Sequence, residues 1–417
     1  MFSAISGLRG HQIMMDVIGN NIANVNTVGF KAGRVNFQDI LSQTMRGASA
    51  PTTDLGSIDP AQVGLGMTVA GIDVLHTQGN LQSTGKNTDM AIQGDGFFIL
   101  GNGLQNLYSR DGAFDRSLDG TLVNPASGLK VMGWPADSTG AVDATQPIGP
   151  LSIPIGQRTT AQASNTATVR GNLDASVPIG STVSTTLSIY DSLGVQHSVS
   201  VTFKKESALG WSWTAAADPS DTAASTTSTG TLTFTSDGLI DTTSPGSDTL
   251  EVDLDSTLSG ATSPMTFDEG GTPPTLDFTK MTQFSGNSEP IATANGFTSG
   301  TLIDFAVGSG GDITGVYSNG QTQKLGQIAI ATFLNPAGLL RSGGNTFNVS
   351  SASGAANVGT PGTGARGTVS TGSLEMSNVD LATQFTGMIT AERGFQANGR
   401  VITTSDEMLQ ELVNLKR

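Results

Sequence analysis

Apolar side chains recur every seven residues along the last forty residues of the chain, from Asn378 to Arg417. A seven-residue apolar repeat keeps one seam on one side of a helix and requires a partner helix under left-handed supercoiling. Polar residues occupy most other positions, so the pattern predicts an amphipathic helix rather than a membrane span. The seam consists of Leu381, Met388, Phe395, Ile402 and Leu409, and it is widened by Phe385, Leu412 and Val413.

A matching apolar stripe lies at the start of the chain and predicts a helix from about Ser3 to Asn26, with Gly29 ending it. Its members are Met1, Ile5, Leu8, Met15, Ile18, Ile22 and Val25. Ordering a helix backbone costs roughly 1–2 kcal/mol per residue, while each fully buried seam residue returns roughly 1.5–3 kcal/mol. Two alternatives follow: the terminal helices pair within one chain, or they become ordered only when many copies pack together.

Between the two stripes the apolar period changes to two, which is typical of strands. Strands are predicted at Val69 to Val74, at Met90 to Ile92 and at Phe97 to Leu100. The clearest hairpin has alternating apolar positions from Val183 to Ile189, a turn at Asp191 to Gly194, and a return to Phe203. Further strands are predicted around Leu232 to Phe234, Leu250 to Leu254 and Ile328 to Thr332. The fold class is therefore mainly β with α-helical termini.

Stretches rich in Gly, Ser, Thr and Pro divide the chain into a nested order of segments. We expect the terminal helices to pair in a coiled-coil-like layer, with two nested β-rich domains between them. Both chain ends then return to one helical region, which fits a radial subunit better than a single-site enzyme. The predicted divisions are helical assembly segments at 1–30 and 375–417, extended connectors at 31–66 and 351–374, an inner β domain at 67–150 and 286–350, and an inserted outer β domain at 151–285.

Composition excludes several classes of protein. The formal charge of −15 leaves too few clustered cations for binding nucleic acid. The absence of cysteine excludes disulfides, thiolate metal sites and cysteine nucleophiles. The N-terminal apolar run is interrupted by Gly7, Arg9, Gly10, His11 and Gln12, which differs from a secretory signal peptide. No segment has the apolar length of a transmembrane helix.

Residues with catalytic or metal-binding chemistry are scattered rather than clustered. His11, His76 and His197 lie in three different segments, and we expect His11 and His197 to be surface or interface residues. Residues 362–367 match G-x-G-x-x-G, but they follow Pro361 in a low-complexity loop and lead into no helix. We therefore expect no catalytic residue, no metal and no cofactor, and a protein that is not an enzyme.

Four asparagines lie within seven residues at Asn20, Asn21, Asn24 and Asn26. Asparagine competes for backbone hydrogen bonds and is a poor residue inside a helix. One or two of these residues fit the chemistry of a helix end. The alternative is that their amides bond to neighbouring backbones in an assembly and fix its register, as a buried Asn does in coiled coils.

Several segments resemble bacterial flagellar rod and hook proteins. The similarity is carried by Asn20-Asn21-Ile22-Ala23-Asn24-Val25-Asn26-Thr27-Val28-Gly29-Phe30-Lys31, by Ser377-Asn378-Val379-Asp380-Leu381, and by Ala397-Asn398 through Ser405-Asp406-Glu407-Met408-Leu409. Internal segments are similar to the hook proteins of that family: Asp95-Gly96-Phe97-Phe98, Tyr108-Ser109-Arg110-Asp111-Gly112, Tyr190-Asp191-Ser192-Leu193-Gly194 and Tyr317-Ser318-Asn319-Gly320-Gln321. Distal rod proteins are similar at both ends but usually lack the insertion at 151–285.

The resemblance implies a secreted structural subunit that polymerises into the hook, a curved hollow tube that is a universal joint between rod and filament. It implies that the paired helices form the inner tube, and that the protein is extracellular and exported without a cleaved signal peptide. The implied partners are further copies of the chain, the hook cap protein, the distal rod protein, the hook–filament junction protein, the hook-length control protein and the flagellar type III export apparatus. The alternatives are a distal rod or junction subunit, or an extracellular β-rich adhesin or glycan-active enzyme.

We expect helix packing between subunits to hold the polymer together. The Gly/Ser/Thr-rich β surfaces should carry few bulky apolar groups, so that neighbouring subunits slide past one another. The residues predicted at the subunit interface are Ile5, Leu8, Met15, Ile18, Asn20, Asn21, Ile22, Asn24, Val25, Leu381, Phe385, Met388, Phe395, Asn398, Ile402, Leu409 and Leu412. Removing residues 1–30 and 375–417 should then leave a stable monomer that does not assemble.

Overall fold

A computed structural model describes residues 2–48, 59–103, 105–137, 140–219, 221, 224–226, 228–241, 249–254, 265–268 and 276–414. The predictions for Met1, for the connector at 49–58, for parts of the insertion at 151–285 and for residues 415–417 lie outside the described residues. The chain begins with helix α1 (Phe2–Ala23) and ends with helix α2 (Leu381–Asn414), and these helices pack against each other. The fold class predicted from the sequence is confirmed.

The described part of the chain between the helices is rich in strands. In chain order they are β1 Gly33–Asp39, β2 Ser42–Arg46, β3 Ala61–Gly64, β4 Met67–Val74, β5 Leu81–Ser83, β6 Met90–Gln93, β7 Phe97–Gly101, β8 Asn106–Ser109, β9 Asp115–Arg116, β10 Leu122–Val123, β11 Lys130–Pro135, β12 Gly149–Pro150, β13 Ala167–Asn172, β14 Thr182–Tyr190, β15 Gln196–Lys205, β16 Gly210–Ala217, β17 Ala224–Ser225, β18 Thr229–Thr233, β19 Thr249–Leu254, β20 Met265–Asp268, β21 Leu276–Thr282, β22 Ile291–Ala294, β23 Leu302–Val307, β24 Asp312–Tyr317, β25 Thr322–Ile328, β26 Ile330–Thr332, β27 Leu340–Gly343, β28 Thr346–Asn348, β29 Asn357–Gly359, β30 Thr368–Thr371 and β31 Ser373–Glu375. A short 3₁₀ helix spans Pro336–Gly338.

The start of α2 is fixed by Asp380. Its carboxylate accepts hydrogen bonds from the backbone N–H of Ala382 (2.9 Å) and the hydroxyl of Thr383 (2.7 Å). These bonds satisfy donors that have no partner within the helix. Because the Thr383 hydroxyl bonds to the ionised form, it holds the pKa of Asp380 below its ordinary value. The first turn of α2 is thus specified by local sequence.

The chain divides into two compact units, and unit 1 comprises Met1–Pro154, Phe305–Gly315 and Gln323–Arg417. Its main sheet runs in the order β25-β11-β7-β8-β28-β27, with β7 buried along its whole length. The core beside this sheet is aromatic, with Phe97, Phe333 and Phe347 in edge-to-face contacts. Such edge-to-face packing adds stability beyond the buried area.

The stretch predicted to be an extended connector, residues 31–66, contains three strands. Strand β1 pairs antiparallel with β4, and β2 pairs antiparallel with β3. The β1–β4 ribbon packs against α1, where a Cβ on Gly10 would lie 2.2 Å from Cε of Met67. The predicted domain boundaries themselves stay predictions.

Unit 2 comprises Ile155–Asp304 and Val316–Thr322. Its four-stranded antiparallel sheet has the order β14-β15-β16-β18 and contains the predicted hairpin at 183–203. Two three-stranded sheets, β21-β13-β22 and β17-β19-β20, supply the remaining strands. Trp211 and Trp213 alternate along β16 with inward-facing side chains, and both are almost fully buried in the core of this unit.

Candidate assembly surface and the junction behind it

The two terminal helices meet along small and polar side chains. A Cβ on Gly387 would lie 3.2 Å from Cδ1 of Ile18, and a Cβ on Gly394 would lie 2.5 Å from Nε2 of His11. Ala391, between these glycines, is fully buried. Residues without bulky side chains let two backbones approach closely. The face of α2 that packs on α1 is therefore a stripe of small residues.

The apolar seam of α2 is largely left exposed by this packing. The seam was predicted to lie against a partner helix, but within one chain α1 covers the small-residue stripe beside it. The close approach at Gly387 and Gly394 is the physical reason, because bulky seam residues would hold the helices further apart. Met388 and Ile402 are partly buried, whereas the other predicted α2 seam residues are 39% to 68% exposed: Leu381, Phe385, Phe395, Leu409, Leu412 and Val413.

The end of α2 extends past α1. The helices are antiparallel, because Ile18 faces Gly387 while Gly7, nearer the start of α1, faces Asn398. In this register Phe2 is opposite residue 403, so residues 404–414 have no partner in α1. All of them are exposed except Ser405, which is partly buried. This overhang, about 16 Å long at 1.5 Å per residue, carries exposed Met408, Leu409, Leu412 and Val413.

Asn21 has a different role from the one predicted for the asparagine cluster. Its side chain is 1% exposed, donates to the carbonyl of Gly33 (2.8 Å) and accepts from the N–H of the same residue (2.9 Å). It also donates to Oε1 of Gln384 on α2 (3.0 Å). Asn21 therefore ties α1 to β1 and α2 inside one chain, because a side chain this buried has no surface left for a neighbouring subunit.

Other N-terminal residues predicted at the interface differ in exposure. The Asn24 amide donates to the carbonyl of Asn20 (2.8 Å), and its oxygen accepts from Thr27 (3.1 Å), which is the chemistry of a helix end. Ile18 is buried against α2. Leu8, Met15, Ile22, Asn24 and Val25 are partly buried, as is Asn398 on α2, while Ile5 and Asn20 are exposed. Their place in a subunit interface stays a prediction.

Behind the helices, three charged side chains meet in a buried junction. Glu375 accepts from Nζ of Lys31 (2.5 Å) and from Nη1 of Arg110 (3.1 Å), and none of the three side chains is more than 3% exposed. Glu375 also accepts from the N–H of Gly79 (2.8 Å), and Lys31 donates to the carbonyl of Thr77 (2.7 Å). Burial holds the pKa of Lys31 below its ordinary value, although the Glu375 carboxylate opposes that shift.

The junction joins segments that are distant in sequence. The amide of Asn378 accepts from the N–H of Ala32 and donates to the carbonyl of Leu75, both at 2.8 Å. Gly29 has φ of 68°, and a Cβ there would lie 2.6 Å from the backbone nitrogen of Asp111. Glycine at position 29 is thus required both by the left-handed backbone and by close approach. Three of the segments quoted for the family resemblance, those containing Lys31, Arg110 and Asn378, meet here.

The three histidines are not brought together. His197 was expected at a surface or interface but is 1% exposed, with Nδ1 2.6 Å from Asp221 Oδ2 and Nε2 3.5 Å from Asp191 Oδ2. Strand β15 alternates buried and exposed residues, and His197 takes a buried position. His11 lies between the helices. Across the described residues, no group of three or more His, Asp or Glu side chains is placed to hold a metal ion.

The loop with the G-x-G-x-x-G spacing binds its own chain. The N–H of Gly367 donates to the carbonyl of Asp95 (2.7 Å), and Arg366 donates to Oδ1 of Asn357 (2.8 Å). It leads into strand β30 rather than a helix. In the described part of the chain, neither helix is long and apolar enough to cross a membrane.

Unit 2 exposes more apolar side chains than expected. Ile179, Leu209, Leu239 and Phe284 are 45% to 68% exposed. They lie on adjoining turns, since Ala175 donates to the carbonyl of Phe284 and Phe234 donates to that of Leu209. The expectation that these surfaces carry few bulky apolar groups is therefore wrong at this end of unit 2. Composition gave the average polarity of the segment, and the average does not show where the apolar residues gather.

Four family models match successive parts of the chain. Residues 1–31 match the model described as flagella basal body rod protein, and residues 370–415 match flagellar basal body rod FlgEFG protein C-terminal. Residues 91–170 match the flagellar hook protein FlgE/F/G D1 domain, and residues 157–297 match the flagellar basal body protein FlaE D2 domain. The matched segments include both terminal helices and most of unit 2.

Several similar full-length proteins are named flagellar hook proteins. The flagellar hook protein FlgE of Treponema pallidum is 40% identical, with 100% of this chain and 99% of the relative covered. That of Borreliella burgdorferi is also 40% identical, with the same coverage. A crystal structure of the Helicobacter pylori flagellar hook protein FlgE2 has a similar fold, with a TM-score of 0.54 over 69% of this chain and 98% of that one, at 14% identity. The chain therefore belongs to the flagellar hook protein family.

Proposed function

We propose that this chain is the structural subunit of a flagellar hook and polymerises with copies of itself through its terminal helices. The observation that carries this proposal is the overhang of α2, residues 404–414, with its exposed Met408, Leu409, Leu412 and Val413. Apolar groups in a row along an isolated helix end are stabilised only when something covers them. A neighbouring subunit supplies that cover, and its helix pair docks on the overhang and the exposed seam.

The same arrangement assigns a role to each part of the subunit. The small-residue stripe holds α1 and α2 together within one chain, while the seam is left for contacts between chains. The buried junction at Glu375 then transmits force from the helices to the inner β domain. The 40% identity over the whole chain to named hook proteins supports a hook subunit over a distal rod subunit.

The finer partners follow from the family. We infer that the polymer ends contact the hook cap protein, the distal rod protein and the hook–filament junction protein, and that the hook-length control protein acts during growth. We also infer export by the flagellar export apparatus without cleavage of a signal peptide. These inferences rest on the similarity of the whole chain to named hook proteins.

The proposal is tested by placing a charge in the seam. Leu409→Asp puts a carboxylate where the seam must be buried between subunits, at a cost of several kcal/mol per contact. We expect this variant to stay monomeric under conditions in which the wild type forms tubes, as seen by electron microscopy and size-exclusion chromatography. Circular dichroism should be unchanged, because Leu409 lies in the overhang and contacts no part of α1.

Thr404→Asp is the matched control, since it adds the same charge on an exposed position of the same overhang. Arg400, one turn earlier, offsets that charge. The control should polymerise normally. Tubes formed by Leu409→Asp as readily as by Thr404→Asp would exclude the overhang as the assembly surface.

A further inference from the structure

A short segment, residues 75–79, is the hub of the buried junction. The N–H of Leu75 donates to the carbonyl of Ala32 (2.8 Å), and the Leu75 carbonyl accepts from Asn378 (2.8 Å). The Gln78 side chain donates to the carbonyl of Ile92 (3.2 Å) and accepts from the N–H of Gly94 (3.1 Å). The hub thereby binds the segment after α1, the segment before α2 and the inner β domain. Displacing it breaks all three connections together.

The side chain at the centre of this hub is His76. Its ring makes edge contacts with Phe97 (5.5 Å between centroids) and Phe347 (5.4 Å). Both ring nitrogens lie below the molecular surface. A neutral imidazole fits such an aromatic pocket, whereas an imidazolium loses most of its hydration there.

The charges around His76 oppose its protonation. Lys31, Arg110 and Arg341 are the cations that face it, and Glu375 is the anion of the same junction. Arg341 donates to the carbonyl of Lys31, and its guanidinium lies over the ring of Phe30 at 5.1 Å. The Glu375 carboxylate is already shared by Lys31 and Arg110. A proton on His76 therefore adds a fourth positive charge beside one negative charge.

Burial first, and then these three cations, lower the pKa of His76 from 6.5 to about 4, with the Pro336 backbone opposing the shift. When the pKa of a group is lower in the folded protein than in the unfolded chain, its contribution to stability is complete at pH values above the unfolded-state pKa. That stabilisation is lost as pH falls from 6.5 toward 4. Each pH unit in this window changes the opening equilibrium by up to about tenfold.

We propose that residues 75–79 form an acid-sensitive latch, in which protonation of His76 releases the hub and uncouples the terminal helices from the inner β domain. The release is local: no contact of the hub named above involves unit 2, so the outer unit stays folded. The proposal is independent of polymer formation, because every group that it invokes lies within one chain.

Hydrogen exchange of the full-length chain at pH 7.0, 5.5 and 4.5 tests this latch. After correction for the intrinsic pH dependence of exchange, opening of peptides covering 29–32, 75–79 and 375–378 should increase on the order of 50- to 100-fold between pH 7.0 and 4.5. Peptides from β15 in unit 2 should show no such increase. In His76→Phe, which fills the same pocket without a titrating group, the increase in the three junction peptides should be lost.

Two outcomes of the exchange experiment would overturn the latch. One is an equal increase in wild type and His76→Phe, which would assign the acid sensitivity to groups other than His76. The other is opening of β15 in parallel with the hub, which would mean global unfolding. If His76→Phe is poorly folded, His76→Gln serves as the second variant. An NMR titration of wild-type His76 with a midpoint at or above 6.5 would also contradict the proposal.

Discussion

At the scale of single residues, Glu375 has the strongest effect that the structure predicts. Glu375→Gln leaves Lys31 and Arg110 buried without a counter-charge, and removing one partner of a buried ionic group costs about 3–5 kcal/mol. We expect that loss in the free energy of unfolding of unit 1, measured by urea denaturation. The loss should be smaller in the double variant with Lys31→Met, because one of the two stranded cations is then removed.

The control for this prediction is Asp73→Asn on the exposed pair with Arg34, whose atoms are 3.6 Å apart. Exposed pairs contribute about 0–1 kcal/mol. Equal losses in Glu375→Gln and Asp73→Asn would show that the junction contributes no more than a surface pair.

The sequence contained part of this junction but not its connections. Lys31 and Arg110 lie in segments that resembled the family, and Gly29 was predicted as a helix end. Their partner Glu375 is 344 positions from Lys31 and 265 from Arg110. Local pattern carries no information about pairs so far apart in sequence, so the junction was missed. The chain has few charged residues, and two of them, Lys31 and Arg110, are buried. Buried cations of this kind require a carboxylate partner nearby.

At the scale of elements, periodicity predicted both terminal helices but not the face on which they meet. A seven-residue apolar repeat indicates a surface that must be covered, and it does not say by which helix. Gly387 and Gly394 permit close approach of another backbone, and they lie on the face that packs on α1. No strand was predicted at β16, although Trp211 and Trp213 alternate along it, because the other positions of this segment are small or polar and the apolar alternation is short.

The stability of a chain without its terminal helices should depend on whether the cuts keep or remove the junction residues. Removing residues 1–26 and 381–417 keeps Lys31, Glu375 and Asn378, so the remaining chain should be monomeric and stable. Removing 1–30 and 375–417, the cut proposed from sequence, takes away the carboxylate and leaves Arg110 unpaired. We expect the second fragment to be less stable by about 3–5 kcal/mol, as measured by urea denaturation, and both to be monomers by light scattering. Equal stability of the two fragments would contradict the role of Glu375.

At the scale of the whole molecule, the nested order of segments was predicted because composition changes where the chain enters and leaves the insertion. The structure gives the physical reason that an insertion is tolerated there. The segments that enter and leave unit 2 bond to each other: Gly156 donates to the carbonyl of Leu302 (2.9 Å) and Thr159 donates to that of Gly300 (2.8 Å). A unit whose two ends are paired closes on itself, so we expect its core to form without most of the remaining chain.

The fragment Ile155–Asp304 should therefore fold alone and remain a monomer. It contains the sheet β14-β15-β16-β18 and the buried Trp211 and Trp213, whose fluorescence reports on its core. We expect one cooperative urea transition with a slope of about 1–3 kcal/mol per molar urea. If the fragment keeps its monomeric size at high concentration, the surfaces that hold subunits together lie on the terminal helices. A fragment that forms tubes or fibres without those helices would instead assign assembly to the exposed apolar turns of unit 2, and Ile179→Ser with Phe284→Ser would then abolish it.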